Sequence, residues 1–183
     1  MKFIVFDIET TGLDTQKDDV LELYAGCFNL KGELLDELHR YIKNTVPISE
    51  KITEITGITQ QMIDEKGLPG ISVAREWKDF GFKNKCQTLV GHNAFLFDYI
   101  LLSNWVIRTN SGDEFKLPSF HTFKDTMILS SAIRKTDEPG FRGWMKLQAM
   151  CDWLHVAYDP TEFHSAKFDV NKTAQCYLKL IKK

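Results

Sequence analysis

The chain has 183 residues, 43% of them hydrophobic and 26% charged, which is the size and makeup of one globular domain rather than a disordered segment. Its formal net charge is −2, so bulk electrostatics provide no pull toward a polyanion or an anionic membrane. Any nucleic-acid partner would then need a local device to hold it. No apolar run is long enough for a signal peptide or membrane span, and there is no internal repeat or low-complexity tract.

Residues 2 to 8 are β-branched and aromatic and predict a strand. Val20 to Phe28 and Leu34 to Ile42 predict two more, joined by a turn around Asn29 to Gly32, and together they suggest an antiparallel meander. Residues 47 to 65 carry Pro, Ser, Thr and Gly and read as loops and short helices. Ser72 is a candidate N-cap for a helix through Phe82. Gln87 to Gly91 is a short strand, and Ala94 to Val106 has helical apolar spacing. Residues 109 to 118 form a polar loop, Phe120 to Phe123 a strand, Thr126 to Ile133 a helix, and 135 to 143 another loop. Trp144 to Leu154 and Ala166 to Ile181 close the chain as helices. Strands first, then strands alternating with helices, imply an α/β domain with a mixed sheet over 1–183 and no interdomain linker. Cys27, Cys86, Cys151 and Cys176 are widely spaced without a C-x-x-C pair, so buried reduced thiols and an intracellular, cytoplasmic setting are expected.

Three segments carry unusual acids. In VFDIETTGLD, Asp7 and Glu9 lie two apart at the end of a strand and point to the same side. Two like charges at that distance raise each other's pKa. They mark either a solvent-facing strand end or a site for a hard divalent cation. In GHNAFLFDYILL, Asp98 stands inside an apolar helical stretch, where an unpaired carboxylate would be costly; it either faces water at the helix edge or meets a partner. His92 and Asn93 could steady the turn before it. In EFHSAKFDV, His164 and Asp169 are five apart, roughly 140° around a helix, so they meet only if His164 precedes the helix that carries Asp169. A role for Glu162 and Asp169 at the helix dipole stays open.

Together these segments resemble the DEDDh 3′→5′ exonucleases, the superfamily of the proofreading epsilon subunits of bacterial DNA polymerases. FDIETTGL (6 to 13), HNAFLFD (92 to 98) and HSAKFD (164 to 169) look like its three motifs, and ITGIT (55 to 59) and KDTMIL (124 to 129) agree more weakly. One departure is the spacing from His92 to Asp98, six steps as in the animal three-prime repair exonucleases rather than the five of many bacterial members. The resemblance implies an RNase H-like fold, a mixed five-stranded sheet flanked by helices. It implies two divalent ions, Mg²⁺ or Mn²⁺, held by Asp7, Glu9, Asp98 and Asp169, with Asp7 bridging and His164 as general base. Histidine, which ordinarily titrates near neutral pH, suits that task.

On that reading the ions supply the local positive field that the net charge lacks, and Arg142, Lys146, Lys167 and Lys172 could assist along the strand's path. Thr10, Thr11 and Gly12 would let backbone groups approach a 3′ hydroxyl, with Leu13 either packing on the terminal base or anchoring its loop, and His92 and Asn93 beside the substrate. Phe95, Phe97 and Phe163 either stack on bases or belong to the core. The implied activity releases nucleoside 5′-monophosphates from 3′ ends, of single-stranded DNA first and RNA second. The alternatives are a proofreading module working through a polymerase partner, or a silent nucleic-acid-binding protein. The chain closes at Lys183 without the polymerase-binding extension of the proofreading subunits, which favours a free-standing nuclease; a homodimer stays open.

Overall fold

The computed structural model describes residues 1–109 and 122–183. The polar loop expected over 109 to 118, and the start of the strand expected from Phe120, lie almost wholly outside the described residues. Five strands form one sheet: β1 (Lys2–Thr10), β2 (Val20–Asn29), β3 (Leu34–Tyr41), β4 (Thr88–Gly91) and β5 (Thr122–Asp125). Their order is β3-β2-β1-β4-β5. β1, β2 and β3 are the antiparallel meander, and β4 and β5 extend it in parallel, so the sheet is mixed.

Strand alternation explains the layers. On β1, Ile4, Phe6 and Ile8 point into a core with Trp77, Leu101 and Trp105. These come from α3 (Gly70–Asn84) and α4 (Asp98–Thr109). Phe3 and Val5 point the other way, into a core with Val170, Ala174 and Tyr177 of α7 (Ala166–Leu180). Asp7 and Glu9 continue the parity of Phe3 and Val5, so they emerge on the α7 side, where the apolar contacts end.

Two short helices, α1 (Glu50–Thr56) and α2 (Gln60–Lys66), cover Leu21 through Ile58 and Ile63. They begin at Ser49 and Thr59, whose hydroxyls accept from the amides of Ile52 and Met62. The last helices, α5 (Thr126–Asp137) and α6 (Leu147–Leu154), enclose a third core with α7 around Met150, Cys151, Cys176 and Leu180.

Several boundaries differ from those the sequence predicts. α3 starts at Gly70 rather than at Ser72: without a side-chain cap, the carbonyl oxygen of Pro69 accepts from the amides of Ser72 (3.0 Å) and Val73 (3.3 Å). α5 runs to Asp137, extended by Arg134 pairing with Glu138 at 3.2 Å. α6 starts at Leu147 rather than Trp144; Gly143, with φ of +111°, and the 62%-exposed Trp144 remain in the preceding loop. Among the described residues no helix is long and apolar enough to cross a membrane.

Candidate active site

Asp98 does not lie inside its helix: α4 begins at Asp98. The chain leaves β4 at Gly91, where a Cβ would stand 2.3 Å from that of Ala94, so only glycine permits so tight a turn. Asn93 then adopts a left-handed backbone (φ +60°), a conformation asparagine tolerates. The turn delivers Asp98 buried at the sheet edge, at 6% exposure.

Asp125 holds this turn. It ends β5, is buried, and caps α5. Its Oδ1 accepts from the amides of Asn93 (3.1 Å) and Met127 (2.9 Å), and its Oδ2 from the amide of Phe95 (3.0 Å). Thr126 adds a donation to the carbonyl oxygen of Gly91 at 3.1 Å and a contact with His92 Nδ1 at 2.9 Å. Asp125→Ala would therefore leave several amides of the turn and of the first turn of α5 without their acceptor. We expect a loss of about 2–4 kcal/mol in urea unfolding, together with displacement of the turn that carries Asp98.

His164 precedes α7, in the loop, as its meeting with Asp169 requires. Its backbone is left-handed (φ +68°), and its amide donates to Asp169 Oδ2 at 3.3 Å. The other oxygen of Asp169, Oδ1, is buried without a hydrogen-bond partner. The imidazole stands on the exposed rim.

Asp7, Glu9, Asp98, Asp169 and His164 all line one open cavity of about 550 Å³, a size typical of ligand sites. Leu13, His92 and Asn93 line it too, with Phe97, Met127, Lys146, Gln148, Phe163 and Thr173. Leu13 is 81% exposed, an unsupported hydrophobe at the mouth. Thr10, Thr11 and Gly12 are not in the lining; they build the loop that carries Leu13. Thr10 Oγ1 donates to the Gly12 carbonyl oxygen at 2.6 Å, and Thr11 Oγ1 donates to Asp18 Oδ1 at 2.8 Å. A Cβ on Gly12 would collide with the same Asp18 carboxylate at 2.5 Å. Arg108 of α4 donates to the carbonyl oxygens of Gln16 and Asp18, tying the loop to the helix that begins with Asp98.

The acids are electrostatically frustrated. Burial first, then the charges of Asp98, Glu9, Asp169 and Glu22, pushes Asp7 well above the usual carboxylate range. Burial, with Glu22, Asp169 and Asp98, raises Glu9 to about 9. Burial raises Asp98 to about 7 and Asp169 to about 6, partly offset in each case by a backbone amide, that of His164 for Asp169. Burial also lowers His92 to about 4, which keeps that imidazole neutral.

Glu22 escapes sequence reasoning. It is 4% exposed and pairs with Glu9 across the β1–β2 ladder. His39 Nε2 lies 2.6 Å from its Oε1. The only sequence signal is a carboxylate inside the apolar run VLELYAG. Of the cations expected along a strand's path, Lys146 lines the cavity. Lys167 instead pairs with Glu37 at 3.1 Å, Lys172 donates to the Ala157 carbonyl oxygen at 2.8 Å, and Arg142 donates to carbonyl oxygens of its own loop. Phe163 lines the cavity with its ring edge-on to Tyr158 and Phe168, Phe97 packs against the core while facing the same space, and Phe95 is half exposed.

Among the described residues, no three acidic, histidine or cysteine side chains close on one point as a ready-made metal cage. A hard ion such as Mg²⁺ keeps several waters and takes only one or two carboxylates beside substrate phosphate. The donor set suits such ions: all-oxygen ligands, mutual repulsion that a cation would relieve, and the unpartnered Oδ1 of Asp169.

A family model described as an exonuclease, RNase_T, matches residues 4–177. The chain is 34% identical over 181 residues to the DNA polymerase III PolC-type of Thermotoga maritima, covering 98% of this chain and 12% of that protein. It is 32% identical over 170 residues to the PolC-type polymerase of Mycoplasma genitalium, covering 91% of this chain and 10% of that protein. The chain thus spans about an eighth or less of the length of these relatives. Among solved structures, E. coli exonuclease I in complex with a dT13 oligonucleotide superposes with a TM-score of 0.77 at 19% identity, over 100% of this chain and 41% of that one. Exonuclease X in complex with 5′-overhanging duplex DNA gives 0.65 at 20% identity, over 98% and 91%. The mixed sheet and its helices have the RNase H-like exonuclease fold of these structures.

Proposed function

This chain belongs to the RNase_T exonuclease family, and from that membership we propose that residues 1–183 work as one 3′→5′ exonuclease unit that releases nucleoside 5′-monophosphates from single-stranded DNA. The observation that carries this reading is the convergence of Asp7, Glu9, Asp98 and Asp169 with His164 on one open cavity. That convergence places four mutually repelling, largely buried carboxylates where a polyanion would have to bind, an arrangement that suits two Mg²⁺ or Mn²⁺ ions. Such ions, when bound, would lower the pKa of water and stabilise charge on the phosphate and the leaving oxygen.

The chain's own residues do the rest. The four acids hold the ions. His164, on the rim, takes a proton from the attacking water. The water oxygen bonds to phosphorus, and the bond to the preceding nucleotide's 3′ oxygen breaks. Leu13 and Phe163 offer apolar surfaces for the terminal base, and Lys146 offers a charge for the backbone behind it. Removing the imidazole in His164→Ala is expected to lower the rate roughly 10²- to 10⁴-fold. A variant that keeps the full rate would assign the proton transfer elsewhere.

The testing experiment is a gel assay. 5′-Labelled single-stranded DNA, the matching RNA, and duplexes with paired and mismatched 3′ ends are incubated with Mg²⁺, Mn²⁺ or EDTA. A metal-dependent ladder that shortens from the 3′ end, fastest on single-stranded DNA, is the expected result. No ladder on any substrate would sink the reading. Faster digestion of RNA would replace DNA as the substrate.

The PolC-type relatives favour a second context, proofreading beside a DNA polymerase. Preferential removal of mismatched over paired 3′ ends would support it. Both readings fit a cytoplasmic protein, in keeping with its buried free thiols.

A further inference from the structure

The four cysteines are far apart in sequence, but folding gathers them in twos. Cys27 on β2 and Cys86, in the link between α3 and β4, bring their sulfurs to 3.4 Å. Cys151 on α6 and Cys176 on α7 bring theirs to 3.6 Å. All four are buried and free. Core packing alone gives a cysteine an apolar neighbour of any kind; here each thiol faces another thiol.

We propose that these are two built-in dithiol pairs, Cys27–Cys86 and Cys151–Cys176, each closed reversibly to an intramolecular disulfide by a small-molecule disulfide such as oxidised glutathione. The sulfurs need to approach by only ~1.5 Å to reach bonding distance. Within each pair the two sulfurs are unequal. A hydrogen bond from Cys27, helped by Lys2, lowers the Cys86 thiol, while Cys27 is pushed up. In the same way Cys176 lowers Cys151 and is itself pushed up. Cys86 is also the most accessible of the four, at 7% exposure against none for the others.

The exchange therefore begins at Cys86. Its thiolate attacks one sulfur of oxidised glutathione and expels one glutathione thiolate, leaving a mixed disulfide. Cys27 gives its proton to solvent and attacks the Cys86 sulfur, expelling the second glutathione. Two protein thiols are oxidised and one glutathione disulfide is reduced to two thiols. The second pair follows by the same steps, more slowly, because α6 must first part from α7 to admit the reagent.

The second bridge bears on the active site. Cys176 follows Asp169 by seven residues, two helical turns, so both lie on one stripe of α7, with Thr173 between them in the cavity lining. Tying Cys176 to α6 fixes the roll of the helix that presents Asp169. The first bridge ties β2 to the entry of β4, across 59 residues of chain.

The test uses the whole reduced protein in glutathione buffers of graded ratio. Each sample is quenched in acid, alkylated with N-ethylmaleimide, and digested without reduction for mass spectrometry. Peptides linked through 27–86 and 151–176, reversed by dithiothreitol, are expected, with a higher unfolding midpoint for the oxidised form. In Cys86→Ser, the 27–86 link should vanish while 151–176 still forms. All four thiols alkylated at every ratio, glutathione adducts without linked peptides, or links across the two pairs would overturn the proposal. None of these readouts depends on nuclease activity, so their failure leaves the proposed reaction untouched.

Discussion

Asp7→Asn is expected to reduce the nuclease rate by roughly 10³-fold or more, the scale of losing a central electrostatic group in a water-poor site. The same substitution should make the metal-free protein more stable at neutral and alkaline pH. Asp7 is surrounded by the carboxylates of Asp98, Glu9, Asp169 and Glu22, and burial deprives it of solvent. A neutral amide of the same shape relieves both costs. The two effects have opposite sign, which separates a functional acid from a structural one. A carboxylate that held the fold together would lose stability when neutralised. Differential scanning fluorimetry in EDTA, beside the gel assay, checks both. A lower melting temperature for Asp7→Asn at pH 8 would contradict this account of the site.

Removing the metal is expected to abolish activity and to make stability fall with rising pH. Glu9 is raised to about 9, Asp98 to about 7 and Asp169 to about 6, all above their ordinary values of 4.5, 3.8 and 3.8. The folded state therefore holds protons that the unfolded chain releases. That contribution to stability is complete below about pH 4 and is lost progressively as pH rises through 6, 7 and 9. The three displacements act in the same direction, so the melting temperature in EDTA should fall by several degrees or more between pH 5 and 9. Adding Mn²⁺ should restore what was lost, with an increment that grows with pH, because the ion binds the folded, ionised site. A melting temperature in EDTA that is flat or rises from pH 5 to 9 would overturn the prediction.

How much of this was legible in the sequence varies with the kind of constraint. The meander was, because runs rich in β-branched, aromatic and apolar residues over 2 to 8, 20 to 28 and 34 to 42 mark strands, and Asn29 to Gly32 marks the turn between two of them. The grouping of Asp7 and Glu9 on one side followed from strand period alone. Asp98 was harder. Apolar spacing from Ala94 onward mimics a helix, yet the helix starts at Asp98, because Gly91, Asn93 and the Asp125 carboxylate shape the preceding residues into a turn. Glu22 was out of reach, since its importance lies in the pairing of β2 with β1, which no local pattern encodes. Thr10, Thr11 and Gly12 are expected from the sequence to bring backbone groups to a 3′ hydroxyl; in the fold they lie outside the cavity lining, with the two hydroxyls donating to Gly12 and Asp18.

The seating of β1 in the sheet carries one more consequence. Its residues pair with β2 on one side and β4 on the other, and Phe3, Val5, Asp7 and Glu9 share a face because their numbers are all odd. Inserting or deleting a single residue between Phe3 and Asp7 would exchange odd for even. Either the aromatic anchors or the two acids would then turn toward Trp77 and Leu101 instead of α7. Length here is digital: the count of residues decides which face each side chain takes, so insertions and deletions should be displaced beyond the Glu9–Thr10 irregularity, where the ladder already shifts.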